Sequence, residues 1–151
     1  MTVTIRPPKS CDKSAWQDLW RQYNAFYGRD GDTALSEAVI NCTWARLLDP
    51  DEPVIGCFAE QDHDVVGLAH IVFHRNLIQI ADTCYLQDLF TVPEARGGGV
   101  AQALIHAVGD LCQARGVSDI YWHTHRDNSA ARTLYDRLAT NTEFIVYRTH
   151  A

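Results

Sequence analysis

The chain has 151 residues, of which 46% are hydrophobic and 21% are charged, as is typical of one soluble globular domain with a single hydrophobic core. Its formal net charge of −6 disfavours nonspecific nucleic-acid binding, which needs a basic surface. No apolar run approaches the roughly 18 residues that span a bilayer, and the first eight residues lack the features of a signal peptide. We therefore expect one domain over residues 1–151 that is cytoplasmic and has neither nucleic-acid nor membrane partners.

The first half of the chain predicts a short strand, two helices and three longer strands. Aromatic and apolar residues recur at helical spacing between residues 13 and 27, and Gly28 ends that pattern. A second helix stops at Asp49-Pro50, and the polar run 61–64 joins two strands into a hairpin. In chain order, the predicted elements are a strand over 3–6, helices over 13–27 and 36–48, and strands over 54–60, 65–73 and 83–92.

The second half alternates helices with strands. A helix is predicted over 99–115, with Gly116 in the position that commonly closes a helix. It is followed by a strand over 119–123, a helix over 129–139 and a last strand over 143–148. This order predicts an α/β (α+β) fold, in which helices pack on a mixed sheet. A last strand that is exposed at the sheet edge would allow a homodimer.

The cysteines and histidines do not predict a metal centre. Five cysteines are scattered along the chain without a C-x-x-C pair, so we expect them to be reduced and mostly buried. His123 and His125 lie on one face of a predicted strand, but no carboxylate or cysteine stands nearby at ligand spacing. The five cysteines are Cys11, Cys42, Cys57, Cys84 and Cys112.

A glycine-rich turn between the strand over 83–92 and the helix over 99–115 predicts an anion site. The first turn of a helix has backbone amides without intrahelical partners, and the helix dipole makes that end partly positive. The glycines at 97–99 carry no side chains that would hold a phosphate away from those amides. The segment Arg96–Ala101 therefore fits a pyrophosphate or a similar anion.

Common nucleotide motifs do not fit this turn. A Walker motif ends in Gly-Lys-Ser/Thr, whereas this run ends in Gly99-Val100-Ala101. A dinucleotide fingerprint requires another glycine where Gln102 stands, and an early parallel βαβ unit. A turn that only reverses the chain direction remains the alternative on these residues alone.

Two motifs together resemble the GNAT superfamily of acyl-CoA N-acyltransferases. Arg96-x-x-Gly99-x-Ala101 resembles its Q/R-x-x-G-x-G/A signature, and Asn128-x-x-Ala131-x-x-Leu134-Tyr135 resembles its second signature on the next helix. The resemblance extends to the strand over 85–94, to the element order and to Ile5-Arg6-Pro7 near the start, so it covers nearly the whole chain. Trp122-x-Thr124 and the Trp/Tyr-rich first helix are most similar to the histone/polyamine acetyltransferase branch.

The resemblance implies a GNAT-like fold with a mostly antiparallel sheet whose fourth and fifth strands splay apart around the pantetheine arm of acetyl-CoA. It assigns pantetheine contacts to the main chain of Leu89, Phe90 and Val92, and places Asn128 and Ala131 beside the co-substrate. Asn128 also stands where it would cap the helix that follows it. The pyrophosphate is assigned to Arg96, Gly97, Gly98, Gly99, Val100 and Ala101.

The reaction implied is transfer of the acetyl group to a primary amine by direct attack, with neither a covalent nucleophile nor a metal. Tyr135 stands where the family places the acid that protonates the departing thiolate. Gln87 occupies the position at which polyamine-acetylating relatives carry a glutamate, so the base is left open. Asp88 is one candidate, although neighbouring strand residues face opposite sides. The other candidates are Asp82, His74 and His70, acting through water.

The acceptor is a small-molecule amine or a basic peptide: a polyamine, an amino acid or a lysine side chain. Residues near Tyr27–Asp32 are candidates for contact with it, because the resemblance places the first helices on the acceptor side. Two other functions compete with the enzyme. One is a non-catalytic GNAT-fold module that binds acyl-CoA as a regulatory ligand, and the other is an unrelated α/β protein that binds a different phosphate.

Overall fold

The computed structural model describes residues 2–151, which form a five-stranded sheet with helices on both faces. The strands are β1 (Thr4–Arg6), β2 (Val54–Gln61), β3 (Asp64–His74), β4 (Thr83–Thr91) and β5 (Asp119–Tyr121), and the helices are α1 (Lys13–Phe26), α2 (Glu37–Leu48), α3 (Val100–Ala114) and α4 (Ser129–Leu138). None of the helices in residues 2–151 is long and apolar enough to cross a membrane. The predicted α/β class with a mixed sheet is confirmed.

The strands lie side by side in the order β1-β2-β3-β4-β5. The first three pairings are antiparallel, and only β4 and β5 run parallel. That parallel pairing spans three residues of β4, from Thr83 to Tyr85, whereas β4 continues to Thr91. Beyond Tyr85 the two strands separate, so one edge of β4 has main-chain groups that β5 does not bond. This is the splayed arrangement that the sequence resemblance implied.

A β-bulge in β4 changes the face on which its residues lie. His70 of β3 pairs with Asp88, and the next residue Ile71 pairs with Leu86, so Gln87 is an extra residue without a partner on β3. Side chains alternate between faces in a regular strand, so Leu86 and Asp88 would otherwise share a face. The extra residue moves Asp88 to the opposite face from Leu86.

The two faces of the sheet pack against different helices. One face packs against α3 and contains a cluster built on Ile71, Leu86 and Leu104. The other face packs against α1 and α2 and is rich in aromatic rings, including Trp16, which is fully buried. Because the sheet lies between these two cores, a side chain on β4 faces either α3 or the aromatic layer.

Two expectations need correction. Residues 143–148 do not form a strand: the segment is irregular, and Phe144 and Tyr147 are 92% and 87% exposed. A run of apolar and aromatic residues indicates strand propensity, but strand formation needs a partner edge. The predicted strand over 119–123 is shorter and ends at Tyr121, where β4 and β5 separate. The cysteines are free and mostly buried, as expected: three are buried, and Cys11 and Cys42 are exposed.

Candidate active site

The glycine-rich turn forms an open cradle at the N-terminus of α3. Gly97 and Gly99 have φ of +80° and +81°, in the left-handed region that favours glycine, and Gly99 is the N-cap of the helix. A Cβ placed on either glycine would meet no atom within 4 Å. Ligand atoms therefore have free access to the first amides of α3, which have no intrahelical partners. The cradle fits a pyrophosphate.

The floor of this cradle is the end of β4. Arg96 Nε donates a hydrogen bond to the Thr91 carbonyl oxygen at 3.1 Å, and its guanidinium lies 5.8 Å from the centre of the Phe90 ring. These contacts hold the positive charge of Arg96 beside the helix N-terminus. A bound anion would interact favourably with both the guanidinium and the helix dipole. Thr91 Oγ1 is buried and has no hydrogen-bond partner among residues 2–151.

A cleft of about 660 Å³ extends from the cradle between β4, α4 and the end of α1. Tyr23, Phe26 and Tyr27 of the α1 end line its other side. The predicted site residues that line the cleft are Leu89, Phe90, Arg96, Gly97, Gly99, Val100, Ala101, Asn128, Ala131 and Tyr135.

Four of the predicted site residues lie outside the cleft lining: Gln87, Asp88, Val92 and Gly98. The backbone groups of Val92 are already bonded, because its N–H donates to the Val66 carbonyl at 2.9 Å and its carbonyl accepts from the Ala95 N–H at 3.0 Å. Leu89 and Phe90 border the unpaired edge of β4, so they are better placed than Val92 for a main-chain contact to pantetheine.

Tyr135 lies across the cleft from the end of α1. Its ring packs edge-to-face on Trp122, with 5.4 Å between ring centroids. Burial raises the pKa of Tyr135 to about 12. The hydroxyl therefore keeps its proton at neutral pH, as a group that donates a proton to a thiolate must.

Asn128 fixes the start of the helix that carries Tyr135. Its side-chain Oδ1 accepts a hydrogen bond from the Ala131 amide at 3.4 Å, and its Nδ2 donates to Thr124 Oγ1 at 3.3 Å. The expected capping role is therefore present. Asn128 also lines the cleft, so capping and contact with a ligand are compatible.

Asp88 lies in the aromatic layer, on the face covered by α1. It is 6% exposed, and its Oδ2 is bonded by Trp20 Nε1 at 3.2 Å and by His70 Nδ1 at 2.8 Å. Trp16 Nε1 donates in turn to His70 Nε2 at 2.9 Å. The bulge at Gln87 places Asp88 on this face, opposite to that of Leu86.

The charge of the Asp88 carboxylate acts on three phenols. Burial raises the pKa of Tyr23, of Tyr27 and of Tyr85, and the negative charge of Asp88 raises each further. The Tyr23 hydroxyl also donates to the Gln87 carbonyl at 3.3 Å. Tyr23 and Tyr27 line the cleft, whereas Asp88 does not.

The other candidate bases lie elsewhere or are already bonded. Asp82 accepts from Arg75 at 3.0 Å, and His74, which is exposed, bonds the Tyr121 hydroxyl at 2.8 Å. His123 packs against Tyr85, with 5.3 Å between ring centroids. Within residues 2–151, no three His, Cys, Asp or Glu side chains come together as a potential metal site.

Sequence reasoning did not predict the polar contacts of Trp16 and Trp20. Both indole N–H groups donate hydrogen bonds to polar side chains of the sheet. The spacing of Trp16, Trp20 and Tyr23 was the available signal, because residues three and four apart share one helix face. Three aromatic residues with polar atoms on one buried face indicate that polar groups lie opposite.

The comparisons with known proteins define the class. The model of the Acetyltransferase (GNAT) family matches residues 13–139, so the chain belongs to the GNAT family and is an acetyl-CoA-dependent N-acetyltransferase. It is 28% identical to the D-amino-acid N-acetyltransferase HPA3 of Saccharomyces cerevisiae over 148 residues, which cover 97% of this chain and 89% of the yeast protein. It is also 28% identical to the uncharacterized N-acetyltransferase YhfO of Bacillus subtilis over 147 residues, covering 96% of this chain and 95% of that protein.

A solved structure supports the fold independently of sequence. The structure of AAC(6')-Iy in complex with the bisubstrate analog CoA-S-monomethyl-acetylneamine superposes with a TM-score of 0.83, covering 100% of both chains at 20% identity. At that identity the similarity establishes the fold alone.

Proposed function

We propose that the chain acetylates the amine of a small molecule, with amino acids as the first substrate class to test. The observation that carries the proposal is the buried carboxylate of Asp88 on the face of β4 covered by α1, where its charge adds to burial in raising the pKa of Tyr23, Tyr27 and Tyr85. An anion in this position attracts a cationic amine. The yeast relative is a D-amino-acid N-acetyltransferase, which supports an amino acid as acceptor.

The proposed reaction needs only groups of this chain and water. The cradle from Arg96 to Ala101 holds the pyrophosphate, and the main chain of Leu89 and Phe90 holds the pantetheine arm. The amine nitrogen attacks the thioester carbonyl carbon, the C–S bond breaks, and the products are an amide and the free thiol of CoA. Tyr135 gives its proton to the departing thiolate. A main-chain amide near Leu89 or Phe90 stabilises the oxyanion.

Asp88 is proposed to accept the proton of the attacking amine. An alkylammonium ion has a pKa near 10 and must lose a proton before it attacks. Asp88 is buried, so the proton passes through water held between Gln87 and Asp88. The amide of Gln87 orients this water but does not ionise.

Two further assignments belong with this proposal. The chain is assigned to the histone/polyamine acetyltransferase branch, because Trp122-x-Thr124 and the aromatic residues of α1 resemble that branch. A cytoplasmic location is supported by the five cysteines, which form no disulfide.

The deciding experiment is an amine panel of D- and L-amino acids, polyamines, aminoglycosides and a lysine peptide, followed through loss of the thioester. We expect turnover with amino acids to exceed turnover with the other classes. A preference for polyamines or for the peptide would overturn the acceptor class. Tight acetyl-CoA binding without turnover of any amine would instead support the non-catalytic module.

The role of Asp88 is tested by Asp88→Asn, which we expect to lower kcat/KM at least tenfold while the protein stays folded. The matched control is Asp82→Asn, because Asp82 lies before β4 and pairs with the exposed Arg75. Gln87→Glu is expected to retain or raise activity towards diamines. Wild-type activity and an unchanged pH profile in Asp88→Asn would remove Asp88 from the mechanism.

We also propose that two chains associate through their C-terminal segments. The apolar residues Phe144 to Tyr147 are 65% to 92% exposed, and β5 pairs only with β4, so its other edge is open. An exposed β-prone segment and an open edge complement each other between two copies. A dimer by light scattering that becomes a monomer when residues 143–151 are removed would support this, and a wild-type monomer would refute it.

A further inference from the structure

A hydrogen-bonded network of buried polar side chains connects α1 to Asp88. Trp16 Nε1 lies 2.9 Å from His70 Nε2, and His70 Nδ1 lies 2.8 Å from Asp88 Oδ2. Trp20 Nε1 lies 3.2 Å from the same carboxylate oxygen. All four residues are at least nine-tenths buried. Polar groups are costly to bury, and a fully bonded network fixes the geometry of its members.

The direction of these hydrogen bonds follows from the donors. An indole N–H only donates, so His70 Nε2 must accept from Trp16 with its lone pair. The single proton of the neutral imidazole is then on Nδ1, which donates to Asp88. A second proton on Nε2 would set two N–H groups against each other at 2.9 Å. Trp16 therefore holds His70 in one neutral tautomer.

We propose that Trp16, Trp20 and His70 are positioning residues that hold Asp88 as a carboxylate aimed at the acceptor amine. The proposal rests on the proposed role of Asp88 as proton acceptor. Trp20 and His70 both bond Oδ2, so Oδ1 is the oxygen left to accept from water or from the amine. By fixing the Nδ1–H tautomer of His70, Trp16 keeps an N–H donor directed at Asp88 and so fixes the orientation of the carboxylate.

The titratable and charged groups around this network come from several elements. From α1, the indoles of Trp16 and Trp20 bond it, and Tyr23 packs in the same aromatic cluster. Burial, and then the charge of Asp88, raise the pKa of Tyr27 and of Tyr85. The guanidinium of Arg29 lies 5.6 Å from the centre of the Tyr27 ring, and the charge of Arg148 opposes the rise in the pKa of Tyr85.

The test compares Trp16→Phe with Trp44→Phe. Both remove an indole from the same aromatic cluster, since the two rings lie 4.9 Å apart, but only Trp16 bonds His70. Nitrogen NMR of labelled histidine in the wild-type protein is expected to show the His70 proton on Nδ1. In Trp16→Phe, Nε2 loses its donor, and we expect His70 to populate both neutral tautomers.

The kinetic expectation follows from that change of tautomer. The kcat/KM of Trp16→Phe should be about tenfold lower than that of the wild type, because Asp88 loses its fixed orientation. The KM for acetyl-CoA should stay unchanged. Trp44→Phe should keep the wild-type kcat/KM, even where it loses stability. Equal kcat/KM values in the two variants would overturn the proposal.

Further variants keep the test decisive if Trp16→Phe does not fold. His70→Ala is expected to lose at least tenfold in kcat/KM, and His70→Gln should recover part of that loss because an amide both donates to Asp88 and accepts from Trp16. No recovery would overturn the positioning role. The NMR result separates the two proposals. A wild-type His70 with its proton on Nε2 would refute the hydrogen-bonded network, whereas wild-type activity in Asp88→Asn would refute only the role of Asp88.

Discussion

Gly67→Ala is expected to damage both stability and acetyl-CoA binding through a single methyl group. Gly67 lies on β3, on the face covered by α3, at the point where that helix begins. A Cβ there would lie 2.8 Å from Val100 Cγ1, 3.0 Å from the Phe90 carbonyl oxygen and 3.2 Å from Leu104 Cδ1. The Phe90 oxygen belongs to the neighbouring strand and cannot yield easily. The first turn of α3 must therefore move away from the sheet.

The magnitude follows from the cost of overpacking a core, about 1–3 kcal/mol for an added group that forces a backbone shift. At roughly 2–4 °C per kcal/mol for a chain of this size, the melting temperature should fall by several degrees. The moved turn begins at Val100, whose amide belongs to the cradle. We therefore expect acetyl-CoA affinity to fall about fivefold or more, which corresponds to about 1 kcal/mol.

The matched control is Gly109→Ala. Gly109 lies within α3, and a Cβ there would meet no atom within 4 Å. This change should stabilise the protein by about 0.5–1 kcal/mol, because alanine loses less entropy than glycine in a helix. Urea unfolding and calorimetric titration with acetyl-CoA measure both effects. Gly67→Ala with wild-type stability and affinity would refute the close packing of α3 on β3.

Further variants test the rest of the site. Gly99→Glu should weaken acetyl-CoA binding at least tenfold in a folded protein, because it places bulk and negative charge beside the pyrophosphate; unchanged affinity by calorimetry would remove the cradle assignment. Tyr135→Phe should lower kcat roughly 10²-fold with little change in acetyl-CoA affinity, and turnover within about threefold of wild type would make Tyr135 structural. Because burial raises the pKa of Tyr135 to about 12, the unfolded chain releases this proton first, so the free energy of unfolding should fall between about pH 10 and 12, and less steeply in Tyr135→Phe. In the native protein, a thiol reagent should modify Cys11 and Cys42 quickly and the three buried thiols only on unfolding, and five equally fast thiols would contradict the core packing.

Periodicity predicted the elements well wherever a face of the element is buried. The helix predicted over 13–27 ends one residue earlier, at Phe26, and the cradle lies between β4 and α3 as its glycines indicated. These features are local: spacing, caps and glycines determine them within a few residues. The order of elements then limits the topology of the sheet.

Features that depend on distant partners could not be predicted from the sequence. The segment 143–148 has the composition of a strand but pairs with no edge, because composition does not specify a partner. The bonds from Trp16 to His70 and from Trp20 to Asp88 join residues 54 and 68 positions apart. Such contacts follow from the packing of α1 on the sheet, and helical spacing alone does not identify what lies opposite.

The bulge at Gln87 explains why the identity of the base was the weakest sequence inference. In an unbroken strand, Gln87 would face the aromatic layer, and Asp88 would face α3 with Leu86. Because β4 has one extra residue, His70 pairs with Asp88 instead, and the carboxylate enters the layer that contains Trp16 and Trp20. The same shift turns Leu89 towards α3, and Leu89 also lines the cleft. Asp88 therefore lies on the face that residue 87 would occupy in an unbroken strand, and the loss of glutamate at position 87 does not by itself indicate a non-catalytic protein.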